Sequence, residues 1–236
     1  MKTRIVMGLA VSLVLSAAWL IKTGAAPQAG SPVDVREFVR QTFFEGVPYE
    51  EASRYDGSVV PTLLAMLADL KEEPYWSNIV VTLGMIGDDR AVDPMIAFIN
   101  KGATGTLSHA QYTARTSAVI SLGYIVNKSK NAKALTYLKD SLNPQAWDKR
   151  ETSWKSPYQA STEDRNIQLS TAAILGLALS GDPSAAEALR KLQQPADTEP
   201  ARRFQAQTSS VAADALTANE MIAKEGLAAY YRKTKK

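Results

Sequence analysis

Apolar residues between Trp76 and Ile99 recur every three or four positions, which is the spacing of one face of an α-helix. The stretch reads WSNIVVTLGMIGDDRAVDPMIAFI and is interrupted once, at Gly87-Asp88. Glycine can end a helix in the left-handed conformation, and an aspartate after it can accept hydrogen bonds from the free amides of the next helix. The pattern therefore predicts two short amphipathic helices joined by a tight turn.

This helix pair recurs downstream. Leu83-Gly84 is echoed by Leu122-Gly123 and by Leu175-Gly176, and an apolar helical pattern follows each copy. The third copy ends at Gly181-Asp182-Pro183, where an N-cap residue precedes proline at the first helical position. A recurring helix pair predicts a stacked repeat, in which each unit buries its apolar face against its neighbours.

An earlier, weaker copy begins at Asp56-Gly57 and aligns without a gap with the segment that begins at Asp88. The glycines inside the helices need a separate explanation, because glycine there costs about 1 kcal/mol relative to alanine. We expect Gly84, Gly123 and Gly176 to permit a close approach between neighbouring helices.

The segment from Leu83 to Ile99 resembles the pattern LGxIGDxRAVxPLIxxL of HEAT-like repeats, of the PBS-lyase type that also occurs in bilin lyases. The copies at Leu122 and Leu175 resemble it in degenerate form. The resemblance implies an all-α fold, namely a right-handed α-solenoid of about four to five helix pairs over residues 34–232. It implies no catalytic residues, because the family pattern consists of packing and turn positions.

The amino terminus has the three-part layout of a secretory signal, with a basic start, an apolar run from Ile5 to Ile21 and small residues at Gly24-Ala25-Ala26. Residues 1–26 are therefore predicted to be a signal peptide that exports the chain to the periplasm or out of the cell. The alternative is an uncleaved inner-membrane anchor, since a run of roughly 17 residues reaches the short limit of a spanning helix. By composition, residues 27–33 form a linker and residues 233–236 a basic tail.

Cysteine is absent, which excludes disulfides, cysteine-based zinc sites, thiol nucleophiles and a lipid anchor on cysteine. An exported chain without cysteine favours a bacterial cell envelope. The 27 Lys and Arg residues include Lys2, Arg4 and Lys22, so a chain without its signal would carry 24 basic and 24 acidic residues. Nucleic-acid binders present a basic face, and we expect no nucleic-acid partner.

The connections between helices are of two kinds. Those within a repeat are short and polar, whereas those between repeats are longer and aromatic, and the longest, at residues 143–165, exceeds the usual length of about 2 to 8 residues. Tryptophan, tyrosine and arginine dominate binding hot spots. We therefore predict a recognition edge made of Trp76, His109, Tyr112, Trp147, Lys149, Arg150, Trp154 and Tyr158, with Lys155 as a further polar contact. The alternative is that these aromatics fold back onto the helices and seal the edge of the stack.

The sequence contains little that points to catalysis or to metal binding. His109 is the chain's one histidine, so a serine-histidine triad would have to use it, and no Gly-x-Ser-x-Gly motif is present. The paired acidic residues lack the alternating spacing of a calcium loop. The sequence predicts no enzyme, with no catalytic, metal-binding or cofactor-binding residue.

Three functional classes are consistent with this picture. The leading one is a non-catalytic scaffold of the bacterial cell envelope that binds another protein, because helical repeats provide extended binding surfaces. The second is a ligand-handling or modification enzyme of the bilin-lyase-like HEAT type, which the export signal disfavours. The third is an accessory subunit that stabilises an envelope complex. The membrane would be involved only through an uncleaved amino-terminal helix.

Overall fold

The computed structural model describes residues 33–100, 104–150 and 152–234, and it is mostly helical over these ranges. Short 3-10 helices cover residues 57–59, 70–75, 89–91 and 144–149, and two-residue strands occur at Gly105–Thr106 (β1) and Trp154–Lys155 (β2). The α-helices are α1 Val35–Val39, α2 Tyr49–Ala52, α3 Val60–Ala68, α4 Trp76–Ile86, α5 Val92–Asn100, α6 His109–Ser129, α7 Ala132–Asp140, α8 Thr162–Ser180, α9 Pro183–Lys191, α10 Glu199–Glu225 and α11 Leu227–Thr234.

Four of these helices form an inner row. Helices α4, α6, α8 and α10 pack side by side in chain order. A second layer lies against this row, with α5 on α6, α7 between α6 and α8, and α9 between α8 and α10. The predicted all-α class is therefore confirmed, and the apolar core lies between the two layers.

The turns at Asp56 and Asp88, whose sequences align without a gap, have the same local structure. Asp56 and Asp88 each cap a 3-10 turn by accepting a hydrogen bond from the backbone N–H two residues later, and each turn leads into a nine-residue helix. Gly87 ends α4 in the left-handed conformation, with φ of 74°. In the third copy Asp182 accepts from the amides of Ser184 and Ala185. The predicted turn chemistry is confirmed at these positions.

The internal glycines mark the places where helix backbones touch. A Cβ at Gly123 would lie 2.0 Å from the carbonyl oxygen of Gly176, and a Cβ at Gly84 would lie 2.7 Å from that of Ser121. Neither gap admits a methyl group, and the obstructing atoms are backbone atoms that cannot rotate away. The expected packing role of these glycines is confirmed.

The Leu-Gly pairs are nevertheless not equivalent positions of a strict repeat. Helices α4, α6 and α8 each end at a left-handed residue, which is Gly87, Lys130 or Gly181. Counted back from these residues, the Leu-Gly glycine lies three, seven and five positions earlier. Gly84 and Gly123 face the following helix of the row, whereas the glycine of α8 faces back toward α6. The distance between the Leu-Gly pair and the turn therefore differs from helix to helix. Packing requires a small residue where two helices touch, and that contact lies at a different distance from the turn in each helix.

The carboxyl-terminal helix returns to the start of the chain. Helix α10 ends at Gly226, and α11 then packs against both α10 and α2. The ring of Tyr231 stacks on Tyr49 with centroids 5.1 Å apart, and its hydroxyl contacts that of Tyr124. Burial raises the pKa of Tyr231 to about 12. Helix α11 thus contacts α6 through Tyr231 and brings the carboxyl-terminal end of the described chain to α2, near its start.

The predictions for the chain ends are only partly within the described residues. The signal at residues 1–26 and all but the last residue of the 27–33 linker lie outside them. At the other end, α11 continues through Thr234, and Lys233 of the predicted basic tail forms an ion pair with Glu225 at 2.5 Å. Within the described ranges no helix has the length and apolar character needed to cross a membrane.

We expect Gly123→Ala to lower the free energy of unfolding by about 2 kcal/mol or more, because overpacking a tight contact forces the backbones apart. Chemical denaturation followed by circular dichroism measures this change. Thr113→Ala, at an exposed position of the same helix, serves as the control and should stay within about 0.5 kcal/mol of the wild type. Equal stability of the two variants would contradict the backbone contact.

We expect Lys130→Gly to raise the free energy of unfolding by about 1 kcal/mol, because Lys130 has φ of 58°, a conformation that glycine adopts without steric cost. Lys139→Gly, placed within α7, should instead destabilise by roughly 0.7 kcal/mol. The same denaturation experiment compares them, and a loss of stability in both variants would argue against the left-handed cap.

Candidate functional site

The turns within the helix pairs lie along one edge of the protein, which we call the turn edge. The Arg90 guanidinium donates to the carbonyl of Gly57 in the preceding turn at 2.6 Å. The Asn127 side chain donates to the carbonyl of Ser180 in the following one at 3.1 Å. These bonds link successive turns laterally within the protein.

The connections between the pairs gather at a second edge, which we call the connection edge and define as residues 69–75, 104–109 and 143–161 without residue 151. The Glu73 carboxylate accepts hydrogen bonds from the Ser108 hydroxyl at 2.6 Å and from the Gln111 amide at 2.9 Å. Strands β1 and β2 pair in parallel, and the Leu107 N–H donates to the carbonyl of Lys155 at 3.0 Å. Three connections that are distant in sequence are thereby bonded into one surface.

The first half of the long insertion is held by Trp147, which is completely buried. Its indole N–H lies 3.2 Å from the carbonyl of Ser141 and 3.1 Å from the hydroxyl of Ser170. The Arg150 guanidinium stands 4.3 Å from the Trp147 ring and 4.0 Å from the Tyr137 ring. Burial lowers the pKa of Arg150. These contacts fix the insertion to α7 and α8.

The second half is held by Trp154, also completely buried, whose indole N–H donates to the carbonyl of Ile99 at 3.2 Å. Arg165, on the first turns of α8, donates to the carbonyls of Trp154 at 2.6 Å and Thr152 at 3.2 Å. The described residues of the insertion are therefore packed against the helices, and its last residues, from Thr162 onward, belong to α8.

The predicted recognition residues divide by burial. Trp76, Tyr112, Trp147 and Trp154 are each at most 7% exposed, so they cannot offer a partner much surface. This matches the alternative in which the aromatic side chains fold back and seal the edge. Their burial is possible because each of the three indole N–H groups, and the Tyr112 hydroxyl, donates a hydrogen bond to an acceptor inside the protein. Arg150 is half-buried, and the accessible members are His109, Lys149, Tyr158 and the additional Lys155.

The accessible rings of His109 and Tyr158 pack on the buried rings of Tyr112 and Trp154. The hydroxyl of Tyr158 lies 2.5 Å from Nδ1 of His109, and the two rings meet edge to face. Beneath them Tyr112 packs against both Tyr158 and Trp154, and its hydroxyl donates to Gln159 at 3.0 Å. Tyr158 is 54% exposed, so the connection edge presents a positioned aromatic side chain to solvent.

An apolar recess with a volume of about 260 Å³ is lined by residues of α3, the 70–75 turn, α4, α5 and α6. Arg115 of α6 lines it, with its guanidinium carbon 4.7 Å from the centroid of the Phe98 ring. Burial lowers the pKa of Arg115 to about 10, and the charge of Glu73 opposes this shift, so the guanidinium is cationic at neutral pH. The other lining residues are Leu67, Ala68, Leu70, Trp76 and Ala97.

Sequence reasoning did not single out Arg115, Arg165 or Glu73. A signal was present for Arg115, because Tyr112, Ala118 and Val119, three or four positions away on the same helix, are apolar. The signal was weak for Arg165, since among the corresponding positions around it only Leu169 is apolar. For Glu73 there was none, since its partners follow 35 and 38 residues later in the chain. Among the described residues no group of three or more histidine or acidic side chains is arranged to hold a metal ion.

No family model, curated protein or solved structure matches this chain. The site must therefore be interpreted from its own geometry, which is that of a bonded edge carrying the accessible pair Tyr158 and His109, together with an apolar recess.

We expect Trp154→Ala to lower the free energy of unfolding by about 3 to 5 kcal/mol, because it removes a buried aromatic ring and leaves a cavity. Tyr158→Ala should change it by no more than roughly 0.5 to 1 kcal/mol, since the ring is mostly exposed. Thermal and chemical denaturation measure both, and comparable losses would show that Tyr158 is a packing residue rather than an accessible one.

Proposed function

We propose that this chain is a HEAT-like α-solenoid that binds another protein in the bacterial cell envelope without catalysing a reaction. The regular placement of α4, α6, α8 and α10 with a second layer of shorter helices supports the solenoid. So does the separation of turns and connections onto two edges. Such arrays present extended surfaces on which partner proteins dock.

The observation that carries the proposal is the ordered connection edge. Glu73, β1, β2 and the two buried tryptophans bond three separate connections into one surface. Leu70 is 72% exposed and Tyr158 is 54% exposed on this surface. Ordering before binding reduces the entropy cost of association, and exposed apolar side chains on a rigid support are typical of interface anchors.

The buried tryptophans have an indirect part in this proposal. They position the backbone that carries Tyr158 and His109, and the partner contacts the accessible side chains. Lys149 and Lys155 are exposed on the same insertion and supply the polar rim that interfaces place around their apolar centre. Export and an envelope location rest on the sequence of residues 1–26.

Site-specific photo-cross-linking in envelope preparations tests the proposal. A benzophenone amino acid at Tyr158 or at Leu70 should capture the same protein, whereas the probe at Lys133, near the turn edge, should not. Purified partner should then bind Tyr158→Ala at least tenfold more weakly, while the melting temperature falls by no more than about 4 °C. Capture from Lys133 but from neither edge position would overturn the assignment of the surface, and no capture from any position would overturn protein binding.

A further inference from the structure

Phe44 lies almost wholly in solvent and is 97% exposed. The loop that carries it, residues 40–48, is nevertheless attached to the helices. The Asn78 amide of α4 donates to the carbonyl of Gln41 at 3.0 Å, and the neighbouring Phe43 packs against the apolar core. Phe44 is therefore an apolar ring that an anchored loop holds away from the protein, and aromatic rings contribute strongly to interfaces when they are buried.

The loop at residues 40–48 and the apolar recess meet the same turn, residues 70–75. Arg40, at the start of the loop, forms an ion pair with Glu72 in which Nε donates to the carboxylate at 3.1 Å. Leu70, at the start of the turn, lines the recess and is 72% exposed. An exposed aromatic ring and an open apolar recess therefore lie at the same end of the helix row.

The recess suits a single apolar side chain. Its volume of about 260 Å³ lies below the range of roughly 300 to 1,000 Å³ that holds drug-sized molecules. Leu67 and Leu70 supply aliphatic surface, and the rings of Trp76 and Phe98 meet edge to face at 5.4 Å. Aromatic rings favour further rings in edge-on or offset positions. A phenyl ring needs no hydrogen bond from the lining, and its burial removes apolar surface from water.

The charges beside the ring and beside the recess are opposite. Glu45 follows Phe44 and is exposed, and Lys71 follows Leu70 and is also exposed. A ring of one copy placed in the recess of another would bring these opposite charges together. In a two-fold symmetric pair one surface patch provides both halves of the contact, so that each contact forms twice. This complementarity within one chain favours a second copy over an unrelated partner.

We infer that two copies of this chain associate at this end, each placing Phe44 in the apolar recess of the other and Glu45 against Lys71. We expect a weak dimer, because one loop and one recess in each copy form a smaller patch than the roughly 1,200 to 2,000 Å² of stable interfaces. The inference does not depend on the proposed function, since Tyr158 lies outside both features. Leu70 belongs to both surfaces, so a protein bound there excludes the second copy.

Analytical ultracentrifugation of the full chain over roughly 1 µM to 1 mM, where small interfaces associate, tests this inference. Phe44→Ala should raise the dimer dissociation constant at least tenfold, and so should Ala97→Glu, which adds a charge at an exposed position of the recess lining. The matched controls are Tyr158→Ala, which removes another exposed aromatic ring, and Ala206→Glu, at an exposed position of α10. Both should leave the constant unchanged, and equal constants for Phe44→Ala and Tyr158→Ala would overturn the inference.

Disulfide trapping tests the geometry directly, because the chain contains no cysteine. Chains with Glu45→Cys mixed with chains with Lys71→Cys should, on oxidation, yield a dimer in which peptide mass spectrometry finds position 45 joined to position 71. Gln207→Cys in place of Lys71→Cys should give at least tenfold less linked product. A monomer at every concentration, or a dimer without the 45–71 link, would overturn the inference, while photo-cross-linking at Tyr158 would still report separately on the proposed function.

Discussion

The direct contact between helix backbones in the inner row is the constraint on which the rest of the structure depends. Gly123 touches Gly176, and Gly84 touches Ser121, at distances that exclude even a methyl group. Small residues let α4, α6 and α8 lie close together, and dispersion contacts along the helices then replace the missing side chains. Because the row is tightly packed, the turn edge and the connection edge are held on opposite ends of a fixed set of helices.

The loops at the two edges differ in length and in how their side chains are packed. At the turn edge the loops are short, and their polar groups bond to the next loop, as Arg90 does with Gly57. At the connection edge the chain has more length than it needs to join two helices. The excess is packed by Trp147 and Trp154, which bury their rings and satisfy their N–H groups inside the protein. What remains accessible is a small set of side chains, among them Tyr158 and His109.

Much of this was predictable from the sequence. The helix pair around Gly87, the caps at Asp88 and Asp182, and the packing role of Gly84 follow from local patterns, because helix termini and helix faces depend on residues only a few positions apart. The surface character of the aromatic residues was less predictable. A tryptophan in a long loop satisfies the sequence pattern of a hot spot and that of a structural anchor equally well, and only its three-dimensional surroundings distinguish them.

The sequence by itself determined the all-α class, the pairing of helices and the chemistry of the turns. The tertiary structure decided which neighbouring helix each glycine faces and how many residues separate each Leu-Gly pair from the end of its helix. It also brought Tyr231 of the last helix against Tyr49 near the first. It also decided that Glu73 meets Ser108 and that Arg115 lines an apolar recess. The physical reason is that these contacts join residues tens of positions apart, and their geometry is set by the packing of whole helices rather than by any local pattern.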